Sequence, residues 1–142
     1  MVRDFYAQNY DITLRNYARP NDWNADDLDI IGHSHSKEGF VQVPDWTLTT
    51  LNPGDVLCMA IGASVANHMA IYVGDNLIAH HMRGAMSNVE LLRPFWRKVT
   101  CYVARHPEVP LVSLEKPKST LMEILNEKYN IKAIETIQPE TD

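Results

Sequence analysis

The chain has 142 residues, a length that suits one domain with a hydrophobic core and is too short for two. Its hydrophobic content of 45% and charged content of 22% are those of an ordinary globular protein. A formal net charge of -5 argues against general nucleic-acid binding, because no basic stripe is present to neutralise phosphates. We find no apolar run of membrane-spanning length and no signal-peptide core, so we expect synthesis and assembly in a cytoplasm.

The first ten residues predict a helix, because Val2, Phe5 and Tyr6 fall at helical spacing. No Ser, Thr, Asp or Asn precedes the segment as a helix cap. We therefore interpret it as the end of a helix that begins further upstream. Residues 19–38 are polar and predict a loop, with a short helix near 25–31.

The middle of the chain predicts a small antiparallel sheet or half-barrel, because short runs of β-branched and aromatic residues alternate with turn signals. Two cysteines, Cys58 and Cys101, lie in these runs, and we expect buried free thiols rather than a disulfide. With the first helix packed on the sheet, the predicted fold class is α+β. Predicted strands lie at 40–43, 56–61, 67–74, 77–81, 88–92 and 99–105, with a turn at 51–55 and a helical turn at 94–98.

The end of the chain has a different character. Three prolines between 107 and 117 predict a linker, and a capping box at 120–123 opens a predicted short helix that ends near Tyr129. We divide the chain into a domain of residues 1–107 and a C-terminal arm of residues 108–142. The arm is long enough to dock on a partner subunit, and we expect it to do so.

Two histidines, His68 and His80, lie on neighbouring predicted strands, and the turn between them decides whether they share a face. A two-residue loop would place them on opposite faces of the sheet. A three-residue loop at 74–76 pairs Ala70 with His80 and brings His68 diagonally across on the same face. We favour this register because Asn76 tolerates the left-handed conformation that the loop requires at its last position. A same-face pair of histidines indicates a catalytic or metal-binding site.

The other histidines carry weaker signals. His81 points to the opposite face in the favoured register, and we interpret it as structural. His33 and His35 lie in the polar segment and are interpreted as solvated loop residues. Together with His68 and His80 they would offer ligands for zinc, but their spacing matches no strong metal motif.

Several short motifs together resemble one known family. The matching residues are Pro53-Gly54-Asp55-Val56-Leu57, Asn67-His68-Met69-Ala70-Ile71-Tyr72-Val73-Gly74, Ile78-Ala79-His80-His81 with Gly84 and Ser87, Phe95-Trp96-Arg97 and Arg105-His106. In this pattern the chain resembles the NlpC-type cysteine peptidases of the cell wall, and in particular their phage branch, the C-terminal domain of lambda-type tail assembly protein K. Residues 2–6 also resemble the family's first helix just after its nucleophile, so the resemblance covers about three-quarters of the chain.

The resemblance implies a papain-like fold and a peptidase site without a cofactor. In that family a cysteine at the start of the first helix attacks a peptide bond of peptidoglycan, and a strand histidine takes its proton. The match makes His68 the base and His80 the residue that orients it. It places the cysteine about one helical turn upstream of Met1, where this chain has no residue. Cys58 and Cys101 lack the activation of a helix start, so we interpret both as packing residues, with Cys58 the better substitute.

Three functional hypotheses follow. In the first, which we favour, the chain is a structural tail tip or tail-assembly protein of a phage virion, with an inactive peptidase-like domain. Its partners would be other tail proteins and host peptidoglycan. In the second, an upstream cysteine belongs to the protein, which is then an active peptidoglycan endopeptidase; retention of His68 and His80 favours this hypothesis. In the third, the histidines form a metal-dependent hydrolase, or the domain binds cell-wall peptides.

Overall fold

The computed structural model describes residues 1–17 and 29–112, which fold as an α+β domain. None of the helices in this described part is both long and apolar enough to cross a membrane. The predicted fold class is confirmed, whereas the helix and extended segment predicted beyond residue 113 lie outside the described residues. The described helices are α1 (Val2–Tyr10), α2 (Ile30–Lys37) and α3 (Pro94–Val99), and the strands are β1 (Val41–Gln42), β2 (Val56–Met59), β3 (His68–Gly74), β4 (Leu77–His81), β5 (Ser87–Leu91) and β6 (Thr100–Arg105).

The six described strands form one open antiparallel sheet with the order β1-β6-β2-β3-β4-β5. Strands β2 to β5 follow one another as neighbours. The last strand, β6, returns to lie between β2 and β1, so β1 and β5 form the edges. The strands predicted from β-branched and aromatic runs are all present, including the short edge strand β1.

The two faces of the sheet carry separate buried clusters. Since side chains alternate along a strand, Val56 and Cys58 point to one face, and Leu57 and Met59 point to the other. We call the first the α1 face, because Tyr6 of α1 packs into its cluster. We call the second the α3 face, because Trp96 of α3 packs against it. Within each strand, neighbouring residues therefore join different clusters.

The predicted turn before β2 is held by a buried ion pair. Asp55 is fully buried and accepts hydrogen bonds from Nε (2.8 Å) and Nη2 (2.7 Å) of Arg105. It also accepts the backbone N–H of Asn52 at 2.8 Å. The neighbouring Gly54 has a φ of 97°, and its carbonyl accepts the hydroxyl of Tyr6. These bonds tie β6 and α1 to the turn and so hold the helix against the sheet.

The polar segment before β1 contains more helix than predicted. Residues 30–37 form α2, which the side chain of Asp29 caps by accepting the backbone N–H of Gly32 at 2.9 Å. The helix predicted near 25–31 overlaps only the beginning of α2, and residues 18–28 lie outside the described part. An Asp at the N-cap supplies the start signal that the loop prediction overlooked.

The expectation that His33 and His35 lie in a loop is therefore wrong, and the expectation that they are solvated holds for His33 but not for His35. Both are on α2, and His35 is buried with 9% exposure. Its ring stacks on Phe40 at a centroid distance of 4.9 Å. Burial lowers the pKa of His35 to about 4, so its imidazole is neutral at neutral pH. His35 is buried although its sequence neighbours are polar, because the tertiary structure places the ring of Phe40 against it.

Candidate active site

The hairpin of β3 and β4 closes on a two-residue turn, Asp75-Asn76, with Gly74 paired to Leu77, so the predicted three-residue loop is wrong. A bulge between Tyr72 and Gly74 shifts the register by one residue beyond this turn. Gly74 and both turn residues have a positive φ, with Asn76 at 60°. Ala70 pairs with His80 across the strands, which confirms the predicted register. His68 therefore lies on the same face as His80, the α3 face.

A line of hydrogen bonds runs across three strands from His68. Its Nε2 lies 3.1 Å from Nδ1 of His80, and Nε2 of His80 lies 2.7 Å from Oε1 of Glu90 on β5. We call these three residues the His68–Glu90 relay. The indole Nε1 of Trp96 donates to Oε2 of Glu90 at 3.2 Å. The carboxylate of Glu90, at the end of the relay, thus has hydrogen-bond contacts with both His80 and Trp96.

Packing keeps the middle of the relay away from water. His80 is only 2% exposed. The ring of Trp96 contacts His80 edge-on at 4.8 Å between centroids and lies 6.3 Å from the His68 ring. Because these rings block rotation of the imidazoles, the relay holds a fixed geometry.

The relay presents a neutral base at neutral pH. Burial, with smaller contributions from the neighbouring His80 and His81, lowers the pKa of His68 to about 4. The hydrogen bond from His80 holds the pKa of Glu90 below its usual range, so Glu90 is a carboxylate. His68 therefore keeps an unshared ring lone pair that can accept a proton.

His81 lies apart from the relay. It follows His80 on the opposite side of β4, is exposed and lies with Nδ1 3.3 Å from Oγ of Ser87. This placement agrees with the predicted register.

The two thiols occupy different environments, and neither is that of an activated nucleophile. Cys58 lies on the α1 face, with its Sγ 3.5 Å from Nδ1 of His35, and burial raises its pKa to about 12. Cys101 is exposed, so the prediction that both thiols are buried is wrong for this residue. The register of β6 shifts here, since Met59 pairs with Thr100 while Cys58 pairs with the residue after Cys101. This bulge leaves Cys101 without a cross-strand partner and turns it outward.

The zinc arrangement considered from the sequence is not formed. His35 contacts Cys58 on the α1 face, whereas His68 and His80 lie on the α3 face. Within residues 1–17 and 29–112, no three His, Cys, Asp or Glu side chains come close enough together to hold a metal ion.

The start of helix α1 lies near the histidine-bearing end of the sheet. Met1 and Asp4 line a shallow cleft, and Ser87 and Asn88 of β5 line it from the sheet. Asn88 is the cross-strand partner of His80. Ala79 and Val89 also line this cleft, and no residue of the His68–Glu90 relay does.

An N-terminal helix packed on an antiparallel sheet, with a hydrogen-bonded histidine pair on adjacent strands, defines the class of protein. The sequence pattern of the NlpC/P60 family matches residues 1–105, and the chain belongs to this family. It is also 34% identical over 95 residues to the tail tip assembly protein K of Escherichia phage lambda. The alignment covers 67% of this chain and 46% of that protein, so the chain spans about half the length of this relative. These findings confirm the predicted resemblance to NlpC-type domains and to their phage branch.

Two members of the site had no role in the sequence-based prediction. Glu90 lies in a correctly predicted strand, and Trp96 lies in the predicted helical turn. Glu90 pairs with Ile78, and this register brings its side chain beside His80. No sequence signal marked Glu90, because its strand is half polar and mostly exposed, where an acid needs no partner. The partner could not be named without the register of β4 and β5.

Proposed function

We propose that this protein is a structural component of a phage tail, assembled in the host cytoplasm and carried in the virion. The similarity to the lambda tail tip assembly protein supports this assignment. Its NlpC/P60 domain would serve as a scaffold that contacts other tail proteins and, at the cell surface, host peptidoglycan.

The separation of thiols and base supports a structural rather than a catalytic role for the 142 residues. His68 lies on the α3 face, whereas Cys58 lies on the α1 face with its pKa raised to about 12. The Sγ atom of Cys58 lies near Nδ1 of His35 and the backbone carbonyl of Val56, and that of Cys101 lies near the backbone carbonyl of Val99. A thiol in such a site remains protonated and is a weak nucleophile.

A complementation experiment tests the structural role. A phage that lacks this protein is supplied with wild-type protein or with His68→Gln, and completed tails are counted by electron microscopy. We expect His68→Gln to restore tails to the wild-type level, because assembly would need the fold and not the base. Failure of a folded His68→Gln protein to restore tails would contradict a purely structural role.

The second candidate is a peptidoglycan cysteine endopeptidase whose nucleophile precedes α1, and the intact His68–Glu90 relay favours it. A cysteine there would lie at a helix start, where the dipole stabilises the thiolate. His68 would take the thiol proton, the sulfur would attack the peptide carbonyl carbon, and the proton would pass to the departing amine. Water would then hydrolyse the thioester.

Two measurements distinguish the candidates. The N-terminal peptide of the protein, isolated from phage particles and identified by mass spectrometry, reveals whether a cysteine precedes α1. The same material is incubated with purified peptidoglycan, with and without a thiol-alkylating reagent, and released peptides are counted. Alkylation-sensitive release that disappears in His68→Ala would establish the enzyme. Absence of release from protein that carries the cysteine would argue against it.

A further inference from the structure

Glu90, at the β5 end of the relay, is an anion that can only accept hydrogen bonds. Glu90 places Oε1 2.7 Å from Nε2 of His80, while its Oε2 accepts from Trp96 and lies 3.5 Å from Nη2 of Arg93. The carboxylate is 21% exposed, and His80 beside it is almost completely buried. An ionised carboxylate has no proton to donate. The atom of His80 that faces it must therefore carry a hydrogen.

The position of the hydrogen on His80 also fixes the position of the hydrogen on His68. Each neutral imidazole has one N–H donor and one bare acceptor nitrogen. If Nε2 of His80 carries the hydrogen, its Nδ1 is bare and accepts a hydrogen from Nε2 of His68, 3.1 Å away. Nδ1 of His68 is then the nitrogen with the free lone pair. The opposite assignment would place a bare nitrogen of His80 against a carboxylate oxygen at 2.7 Å.

We propose that Glu90 is a positioning residue, which sets the tautomers of His80 and His68 and thereby makes Nδ1 of His68 the basic atom. The role of His68 as a base belongs to the second candidate function, the peptidoglycan endopeptidase, and this inference rests on that candidate and deepens it. Glu90 itself contacts neither a substrate nor the reacting atoms.

The same logic predicts the effect of removing the charge. Glutamine in place of Glu90 keeps the shape but offers both a donor and an acceptor. It can then satisfy either tautomer of His80, so the direction of the relay is no longer imposed. In serine-protease triads, the corresponding change from aspartate to asparagine leaves the geometry intact and puts the histidine in the wrong tautomer.

Nitrogen NMR of the 142-residue protein labelled with ¹⁵N-histidine tests the proposal directly. Bare and protonated imidazole nitrogens resonate far apart, and the His68→Gln and His80→Gln spectra assign the signals. At neutral pH we expect a bare Nδ1 and a protonated Nε2 on both residues. A His68 protonated at Nδ1, or a doubly protonated His80, would overturn the assignment.

Variants then connect the tautomers to Glu90. In Glu90→Gln we expect the Nδ1 signal of His68 to shift toward the protonated position. Trp96→Phe keeps the carboxylate and should leave the tautomers unchanged. Glu108→Gln is the matched control, because it removes the same charge from an exposed residue near His106. Wild-type tautomers in Glu90→Gln would refute the proposal.

The readout does not depend on a nucleophile or on tail assembly. If no alkylation-sensitive release from peptidoglycan is found while the tautomers agree, the endopeptidase candidate fails and this inference stands. If the tautomers disagree, the inference fails whatever the peptidoglycan assay shows. Should Glu90→Gln not fold, as judged by circular dichroism, the wild-type spectrum alone still decides which nitrogen of His68 is bare.

Discussion

Cys58 and His68 lie on opposite faces of one sheet although their strands are neighbours. In the register of β2 and β3, His68 pairs with Met59, and Cys58 pairs with Met69. Since side chains of adjacent residues point to opposite faces, one position along β2 separates the thiol from the histidine face. The imidazole of His68 and the thiol of Cys58 therefore lie on opposite sides of the sheet.

The thiols should differ sharply in reactivity. Native protein treated with iodoacetamide at neutral pH should be modified at Cys101, which is exposed, and not at Cys58, which is buried with a pKa of about 12. Peptide mass spectrometry over a time course measures both sites. In denaturant the two should react at similar rates, which serves as the control. Equal rates in native protein would contradict the placement of Cys58.

The ion pair beneath the turn should contribute strongly to stability. Arg105→Met leaves the fully buried carboxylate of Asp55 without its partner, which we expect to cost about 3 kcal/mol of unfolding free energy. This value is at the low end for buried pairs because Arg105 itself is 25% exposed. Urea denaturation measures the difference. The control Arg3→Met removes an arginine from a solvent-exposed pair with Asp4 and should leave the midpoint almost unchanged.

Asn76 should tolerate glycine but not valine. Its φ of 60° is left-handed, a conformation that costs about 1–2 kcal/mol for a side chain branched at Cβ and little for glycine. We therefore expect Asn76→Val to destabilise the protein by about this amount and Asn76→Gly to remain near wild type. Thermal or urea unfolding of the pair measures the effect. Equal stability of the two variants would mean that the loop does not require this conformation.

Stability should fall on mild acidification. His35 and His68 have folded-state pKa values of about 4, because burial disfavours the imidazolium, against about 6.5 in an unfolded chain. Between these values the unfolded state binds more protons, so the unfolding free energy decreases as the pH falls from about 6.5 to about 4. Above this window the two residues add no pH dependence. A fully linked histidine contributes at most about 1.4 kcal/mol per pH unit.

Single variants assign this pH dependence. His35→Gln should reduce the slope of unfolding free energy against pH between about 6.5 and about 4, as should His68→Gln, with the smaller effect expected for His68 because its ring is partly exposed. The control Ser36→Ala changes an exposed residue of α2 that has no ionisable group and should leave the slope unchanged. A wild-type slope in both of the first two variants would contradict the neutral, buried state of these rings.

Local signals predicted most of the sheet and the central hairpin. Alternating apolar residues predicted the strands, and the left-handed tolerance of Asn76 predicted a tight turn between β3 and β4. These features depend on neighbours in sequence, so the sequence contains the information. The predictions for Cys101 and His35 were wrong because a bulge and a stacked ring decide their exposure. Both arise from contacts between distant segments.

By itself, the sequence determined the fold class and the family, since strand period and short motifs are local properties. The shared face of His68 and His80 was predicted from a three-residue loop, whereas in the structure it depends on the bulge between Tyr72 and Gly74. Only the tertiary structure decided that Glu90 completes the relay, because this depends on the register between β4 and β5. It also decided that Cys58 belongs to the α1 face, where burial keeps its thiol protonated. Side-chain chemistry indicates which residues can form a site, and the register between strands decides which of them come into contact.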